Sequence, residues 1–260
     1  MDLTKGIPII KYENGLVSSL EDTVVKEYAL TIILDGEEFI TLLCTPSSLD
    51  CLTVGFLLSE SIIKSKSDIK RIRIDEEKGT AEVSTFESSI IAKNLHGKRT
   101  MTTGCGKGSS FYNAVDSLSC RKVTGGLEAS AKDILEIMRD FNKRSELFHD
   151  TGGVHSVALG TGTGIIIFHE DVGRHNAMDK VVGEASLKEI QMSDKIILTS
   201  GRVSSEMLIK AAKGRIPVIV SRSAPTDLAV ELAVQLGITV IGFARGQRMN
   251  IYSNKERIKF

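Results

Sequence analysis

The stretch KIILTSG (195–201) belongs to a repeating pattern that decides the fold expected for this chain. The same kind of short apolar run recurs at VHSVAL (154–159), IIIF (165–168), IPVIVS (216–221) and ITVIGF (238–243). Segments with helical spacing separate the runs, and they often end at glycines such as Gly214 and Gly237, as helices commonly do. Strands that alternate with helices predict βαβ units and a largely parallel sheet from residue 151 onward.

Polar loops that contain many basic and small residues follow these runs. In chain order they are GTGTG (160–164), HEDVGRHN (169–176), SGRVSSE (200–206), SRSAPTD (221–227) and ARGQR (244–248). Ligands of open α/β sheets bind beyond the carboxyl ends of the strands, so we expect four such loops to meet at one edge, while GTGTG is interpreted as a turn. Their basic side chains are Arg174, His175, Arg202, Arg222, Arg245 and Arg248. Together they favour an anionic ligand such as a phosphate, although one loop alone could simply turn the chain and cap a helix.

The first hundred residues carry an antiparallel pattern instead. Two β-hairpins are predicted, with strands over residues 26–34 and 39–44 and over residues 70–74 and 80–84. Asp35-Gly36 between the first pair is a strong signal for a two-residue hairpin turn. A helix over residues 49–63, begun by a serine cap, is expected to pack on this hairpin.

The chain is therefore expected to have a smaller antiparallel β/α part, residues 1–125, and an α/β domain, residues 126–260. Whether the two pack as one unit is left open. A helix near the start of the second part is indicated by Ser130, which with Asp133 forms a capping-box pattern.

Composition and charge exclude several classes of protein. The chain has 33 Lys and Arg against 33 Asp and Glu, so no net field attracts nucleic acid or an anionic membrane. The start lacks the features of a signal peptide, and no apolar run approaches the about 18 residues of a membrane span, so we expect a cytoplasmic protein. Residues 245–260 carry five cationic side chains against one acidic one, which suits either an anion site or a solvated basic tail.

The four cysteines do not form a disulfide framework, since their positions, 44, 51, 105 and 120, are irregularly spaced. Cys44 and Cys51 lie in apolar surroundings and are expected to pack in the core. Cys120 is expected to be structural too. Cys105 differs, because glycines flank it in MTTGCGKGSS (101–110).

Cys105 is therefore the candidate reactive thiol. A helix predicted over residues 109–120 would place its positive dipole end near the sulfur and favour the thiolate. The flanking glycines would let the loop move. The alternative is a flexible linker that happens to contain a cysteine.

The histidines and the known motifs give no sign of a metal site. His155 lies inside an apolar run and is interpreted as a core histidine, whereas His175 is the better functional candidate. The ligand spacing of a zinc deaminase is missing, which argues against a nucleotide deaminase or hydrolase. No G-x-G-x-x-G, P-loop or G-x-S-x-G motif with the required context occurs either.

Several longer motifs resemble one known family. They are TGCG around Cys105, TGGVHSVAL (151–159), EDVGRHNAMDKVVG (170–183), SGRVSSEM (200–207), SRSAPTDLAVELA (221–233) and GFARGQRMNIY (242–252). From about residue 25 to the C-terminus the chain resembles the FdhD/NarQ family of formate dehydrogenase accessory sulfurtransferases. The resemblance implies a cytidine deaminase-like α/β fold.

The resemblance also implies a sulfur relay between two partners. Cys105 matches the position that takes sulfur from the persulfide of a cysteine desulfurase. The acceptor is the molybdenum or tungsten bis(molybdopterin guanine dinucleotide) cofactor, abbreviated Mo-bis-MGD, that is destined for formate dehydrogenase. The segment implied to contact this guanine nucleotide-containing cofactor consists of Phe243, Ala244, Arg245, Gly246, Gln247 and Arg248. A homodimer without a tightly bound metal of its own is implied as well.

One position departs from the family pattern. Many members carry a second cysteine three residues after the first, where this chain has Gly108. The departure favours a carrier that uses one cysteine and forms no internal disulfide. The competing hypothesis is a chaperone that binds and delivers the cofactor without sulfur chemistry.

Overall fold

The structure is a computed structural model, and it describes residues 1–86, 100–101, 121–124 and 127–260. Cys105, Gly108, Cys120 and the helix predicted over residues 109–120 lie outside the described residues.

The chain begins with a hairpin of two long strands, β1 (Thr4–Glu13) and β2 (Leu16–Val25), which the sequence analysis did not foresee. Asn14 and Gly15 form its turn with positive φ angles of 51° and 85°. Most of its side chains are exposed, so the hairpin lacks the buried, alternating face by which a strand is recognised from sequence.

Both predicted hairpins of the N-terminal part are confirmed. The strands are β3 (Tyr28–Leu34), β4 (Glu37–Cys44), β5 (Ile69–Asp75) and β6 (Thr80–Thr85), joined by the short β7 (Thr100–Met101) in the order β5-β6-β3-β4-β7. Asp35 and Gly36 form the turn between β3 and β4 with φ angles of 51° and 91°. The core of this sheet contains Leu30, Ile32, Leu42 and Val83.

Helix α1 (Leu49–Ser59) covers that core, but it is shorter than the predicted 49–63. It ends at Glu60, and Ser61 follows with a positive φ of 59°. The predicted serine cap was wrong, because Ser48 lies in the left-handed region, where its side chain makes no capping hydrogen bond. Tertiary packing of its largely buried residues, not a cap, therefore stabilises the start of α1.

The C-terminal part is built on a mixed six-stranded sheet. After the short β8 (Ala129–Ser130), its strands are β9 (His155–Gly160), β10 (Ile165–Asp171), β11 (Ile196–Thr199), β12 (Val218–Ser221), β13 (Thr239–Arg245) and β14 (Arg248–Ile251), in the order β10-β9-β11-β12-β13-β14. Only the pairs β11–β12 and β12–β13 are parallel. The α/β class is confirmed, whereas the prediction of a largely parallel sheet was wrong.

The antiparallel pairing of β9 and β10 explains the difference. The residues between them, 161–164, form a tight turn in which the Thr161 N–H donates to the Gly164 carbonyl at 2.9 Å. This turn therefore lies at the edge opposite the other loops. The amino end of β9, and not its carboxyl end, therefore lies at the edge where β10 to β13 end.

Helices cover both faces of the sheet. They are α2 (Ala131–Lys143), α3 (Glu146–Thr151), α4 (Arg174–Leu187), α5 (Ser205–Lys213) and α6 (Asp227–Leu236). Buried side chains of α4, α5 and α6 pack on one face, and those of α2 pack on the other. The Ser130 cap is confirmed, since its hydroxyl accepts hydrogen bonds from the N–H groups of Lys132 and Asp133. No helix among the described residues is both long and apolar enough to span a bilayer.

The N-terminal and C-terminal parts meet where α1 packs on α4. A Cβ atom on Gly55 would lie 1.8 Å from the Asp179 carbonyl oxygen, and one on Gly183 would lie 1.9 Å from the Cys51 carbonyl oxygen. The two helix backbones therefore touch. The division at residues 125 and 126 stays a prediction.

Candidate functional site

A cavity of 740 Å³ opens at the edge where β11, β12 and β13 end. The ends of β11, β12 and β13 and the loops after them supply Ser200, Arg222, Ser223, Arg245 and Gly246. Helix α2, α3 with its flanking residues, and the start of β9 supply Asn142, Ser145, Phe148, His149, Gly152, Gly153, Val154, His155 and Ser156. The loops after β11, β12 and β13 thus meet at one edge, as the sequence predicts, whereas the turn 161–164 lies at the opposite edge.

Two arginines line the cavity side by side. Arg222 follows β12 directly, and Arg245 ends β13. The Arg245 Nε donates a hydrogen bond of 2.8 Å to the Arg222 carbonyl oxygen, which orients its guanidinium along the rim. The Arg222 N–H in turn donates to the Thr199 carbonyl at 3.0 Å. The backbone of Arg222 is thus held by the end of β11, and the Arg245 side chain is held by the backbone of Arg222.

His155 lines this cavity, so its interpretation as a core histidine was wrong. It is the first residue of β9, and the antiparallel direction of β9 brings that end to the edge. Burial lowers the pKa of the His155 imidazole below its usual 6.5, and the nearby charge of Arg174 lowers it further. At neutral pH this ring is therefore uncharged and offers one donor and one acceptor.

A second basic cluster adjoins the first through His155. Arg174 begins α4 and packs over Gly201, where an added Cβ would lie 3.3 Å from the Arg174 side chain. Burial lowers the pKa of Arg174, and so does the charge of Arg202. The Arg174 Nε is buried without a hydrogen-bond partner among the described residues. A buried donor of this kind calls for an acceptor from a ligand.

His175 lies next to this cluster. Its Nε2 is 3.0 Å from the Glu206 carboxylate. The neighbouring motif residues hold the backbone in place, since Asp171 accepts hydrogen bonds from the Thr45 and Gly173 N–H groups. These bonds fix the start of α4 and thereby aim Arg174 and His175 at the edge.

A buried ion pair completes this support. The Lys180 Nζ lies 2.7 Å from Asp171, and both side chains are fully buried. The Lys180 ammonium also donates to the Thr45 carbonyl and the Ser47 hydroxyl. Asp171 and Lys180, the first and last residues of the motif DVGRHNAMDK, are thus structural, which the sequence pattern alone did not reveal.

The predicted cofactor segment divides into buried and exposed residues. Arg245 and Gly246 line the cavity, and Phe243 is half-buried. The Ala244 side chain is fully buried in the core, so only its backbone can face a ligand. Gln247 and Arg248 are exposed on the turn and the adjoining β14, outside the cavity lining.

The sequence analysis missed α3 and the carboxylate that holds it. Glu170 accepts hydrogen bonds from the Leu147 and Phe148 N–H groups and from the Ser156 hydroxyl. Burial raises the pKa of Glu170 above its usual 4.5. These bonds place Phe148 and His149 on the cavity wall. A charged segment of this kind is ordinarily interpreted as a solvated surface, and six residues carry little helical signal.

The C-terminal basic residues are used in part by the fold. After β14 the chain forms a short 3₁₀ turn and β15 (Ile258–Lys259), which pairs with β8. Arg257 donates hydrogen bonds to the Thr239 hydroxyl and the Val123 carbonyl. Lys259 pairs with Glu128. The segment is therefore more than a solvated tail, and its contribution to the cavity is Arg245.

The two cysteines among the described residues, Cys44 and Cys51, are buried, as predicted. Burial raises the pKa of each thiol to about 12. Neither is a nucleophile at neutral pH, and neither lines the cavity. The cavity is thus suited to bind an anion through arginine, histidine and hydroxyl groups, and a reactive thiol would have to come from elsewhere in the chain.

The fold and this edge together define a mixed α/β protein with a cavity lined by basic side chains at the strand ends. The chain belongs to the FdhD/NarQ family, whose profile matches residues 25–259.

Individual relatives agree with this membership over nearly their whole length. A "Sulfur carrier protein FdhD" of Geobacillus kaustophilus (strain HTA426) is 45% identical over 254 residues, which cover 98% of this chain and 97% of the relative. The protein of the same name from Bacillus subtilis (strain 168) is 41% identical and is covered to 95%. A crystal structure of a protein described as a formate dehydrogenase accessory protein, from Desulfotalea psychrophila, has a TM-score of 0.81 and 25% identity, with 99% of this chain and 100% of that chain covered.

Proposed function

We propose that this protein is a sulfur carrier that takes sulfur from a cysteine desulfurase on Cys105 and transfers it to Mo-bis-MGD for use in formate dehydrogenase. The observation that carries the binding half of the proposal is the cavity lined by Arg222 and Arg245. The sulfur half is supported by the name of the curated relatives and by the TGCG motif around Cys105.

The guanine dinucleotide part of the cofactor suits the cavity edge. Arginine forks recognise phosphate oxygens through paired, charge-assisted hydrogen bonds. The unpartnered Arg174 Nε is a further donor close by. The serine hydroxyls of the cavity and the uncharged His155 can satisfy the remaining polar atoms of a nucleotide.

The chemistry of loading requires one thiolate. The Cys105 thiolate attacks the terminal sulfur of the donor persulfide, the donor S–S bond breaks, and the donor cysteine leaves as a thiolate. Cys105 then carries the persulfide. In the second step its S–S bond breaks and Cys105 is released as a thiolate, while the metal centre of the acceptor supplies the two electrons that convert the sulfur to sulfide.

We include a homodimer and a cytoplasmic location in the proposal. The homodimer rests on the family resemblance. The location rests on the chemistry, since Cys105 has to remain reduced between turnovers and the cytoplasm keeps thiols reduced.

Mass spectrometry of the intact chain tests the loading step. The protein is incubated with a cysteine desulfurase and cysteine and then weighed without reductant. We expect an increase by the mass of a sulfur atom that is lost in Cys105→Ala and retained in the matched control Cys44→Ala. An adduct that persists in Cys105→Ala would refute Cys105 as the carrier.

A cofactor chaperone is the second candidate function. It is favoured by the described cavity wall, which offers arginine, histidine and hydroxyl groups for binding. Restoration of formate dehydrogenase activity in cells that lack the accessory protein separates the two. A sulfur carrier loses this ability in Cys105→Ala, whereas a chaperone keeps it.

A further inference from the structure

Three potential metal ligands from separate segments meet where α1, β10 and α4 pack together. Cys51 lies in the first turn of α1, His169 on β10 and Glu184 in α4. Their ligand atoms, one sulfur, one ring nitrogen and one carboxylate oxygen, all lie within 4.8 Å of one another. None of the three residues lines the cavity, so the cluster is separate from the site of the proposed function.

The positions of Cys51 and Glu184 are fixed by the contact between the two helices. A Cβ atom on Gly183 would lie 1.9 Å from the Cys51 carbonyl oxygen, so the backbones have no room to shift inward. Side chains on rigid, packed elements are held close to a binding geometry, which reduces the entropy lost when a ligand binds. The helix contact therefore prearranges two of the three groups.

His169 and Glu184 already face each other. The His169 Nε2 lies 2.5 Å from one Glu184 oxygen, and the Lys188 Nζ lies 2.5 Å from the other. The second contact orients the carboxylate, as outer partners of metal ligands do. Cys51 is 8% exposed, and the His169 and Glu184 side chains are 11% and 18% exposed. The cluster is therefore largely but not completely shielded from water.

The chemistry of the three groups matches zinc. Thiolate, imidazole and carboxylate are its usual protein ligands, and three of them with an open fourth position form a common zinc geometry. Burial lowers the pKa of His169, which leaves the ring in the neutral form that a metal requires. Asp50 is exposed, and its carboxylate lies beside the Cys51 thiol, so this carboxylate or a water molecule can supply the fourth ligand.

We propose that Cys51, His169 and Glu184 bind a Zn²⁺ ion that joins the N-terminal and C-terminal parts of the protein. The ion forms bonds to the Cys51 sulfur, a His169 ring nitrogen and a Glu184 oxygen. Binding through the His169 Nε2 moves the single ring proton to Nδ1, and the Cys51 thiol releases its proton to solvent. No electron is transferred. The site acts on stability and goes beyond the proposed sulfur transfer.

Cobalt titration of the full chain tests the site. The parent protein carries Cys105→Ala and Cys120→Ala, so that Cys44 and Cys51 are the remaining thiols. Binding of Co²⁺ by a thiolate produces a strong near-ultraviolet charge-transfer band. We expect this band to saturate at about one Co²⁺ per chain, to be displaced by Zn²⁺, and to be lost in Cys51→Ser but retained in Cys44→Ser.

A second readout does not depend on the thiol. Addition of Zn²⁺ should raise the thermal midpoint of the parent protein, and His169→Gln and Glu184→Gln should each weaken this binding at least about ten-fold. If Cys51→Ser does not fold, these two variants decide the question. Absence of the band in the parent, a band that survives in Cys51→Ser, or an unchanged affinity in both His169→Gln and Glu184→Gln would overturn the proposal.

Discussion

Charged side chains are used in opposite ways in two regions of the molecule. One is the interface where α1 packs on α4, called the joint below, and the other is the edge of the sheet that carries the cavity. At the joint each buried charge has a partner: Lys180 pairs with Asp171, and Asp179 accepts hydrogen bonds from Lys210 and the Ser59 hydroxyl. At the edge cations gather next to one another, and Arg174 feels the charge of Arg202. The stretch 171–180 contributes to both arrangements, since Asp171, Asp179 and Lys180 belong to the first and Arg174 to the second.

The difference separates structural residues from ligand-binding residues. A buried charge without a partner costs several kcal/mol, so the paired charges must stay together for the protein to fold. Neighbouring cations repel one another and do not stabilise the isolated protein. Their interaction energy becomes favourable when an anion binds between them. The joint should therefore respond to mutation through stability, and the edge through binding.

The largest effect is expected at the joint. Lys180→Met removes the ammonium and leaves the Asp171 carboxylate buried without its cation. We expect the free energy of unfolding to fall by about 3–5 kcal/mol, measured by urea denaturation. The control Lys188→Met removes a lysine that is 61% exposed, and its effect should be clearly smaller. Equal losses in the two variants would contradict the comparison.

The next effect belongs to the edge and to binding. Arg245→Met should weaken GDP binding by about 1.5–3 kcal/mol, roughly ten-fold to a hundred-fold, because a charge-assisted hydrogen bond is lost. Isothermal titration with GDP measures it. Arg248→Met is the matched control, since Arg248 lies outside the cavity lining, and its effect should be clearly smaller. A larger effect of Arg248→Met would place the nucleotide on the outer side of the β13–β14 hairpin.

A smaller effect of opposite sign is expected at Arg202. This side chain is exposed, and its charge disfavours the charged form of Arg174. Arg202→Met should leave the free energy of unfolding unchanged or increase it, within about 0.5 kcal/mol. The urea midpoint reports this change. A loss as large as that of Lys180→Met would show that the edge cations also hold the fold together.

The smallest effect concerns pH. The folded-state pKa of His155 lies below its unfolded value of 6.5, so folding disfavours the protonated ring. The neutral His155 ring therefore contributes fully to the free energy of unfolding above its unfolded pKa, and this contribution is lost as the pH falls below that value. We expect His155→Gln to flatten the decline in urea midpoint between pH about 7.5 and about 5. An unchanged pH profile would argue that the ring is freely hydrated.

Local signals in the sequence predicted much of this structure. Asp35-Gly36 forms the expected turn, Ser130 the expected cap, and Gly214 and Gly237 end the expected helices. The loops with Arg222 and Arg245 meet as expected, because this rule depends only on strand direction within β11, β12 and β13.

The errors arose where long-range pairing decides the outcome. Apolar runs show that a strand exists but not its direction, so the antiparallel β9 was missed and His155 was assigned to the core. The role of Lys180 depends on a carboxylate nine residues away and on a loop of the N-terminal part. Likewise, Cys51, His169 and Glu184 have no recognisable spacing, since three packed elements bring them together.

The turn formed by residues 161–164 is a suitable place for the insertion of added sequence. A Cβ atom added to Gly162 or Gly164 would have no neighbouring atom within 4 Å, and this turn lies at the edge of the sheet opposite the cavity. Exposed loop tips of small residues tolerate added sequence. A purification tag, a fluorophore or a short fusion inserted at Gly162 should leave nucleotide binding intact. The protein can therefore be attached to a surface or tracked through this turn while the edge with the cavity stays accessible.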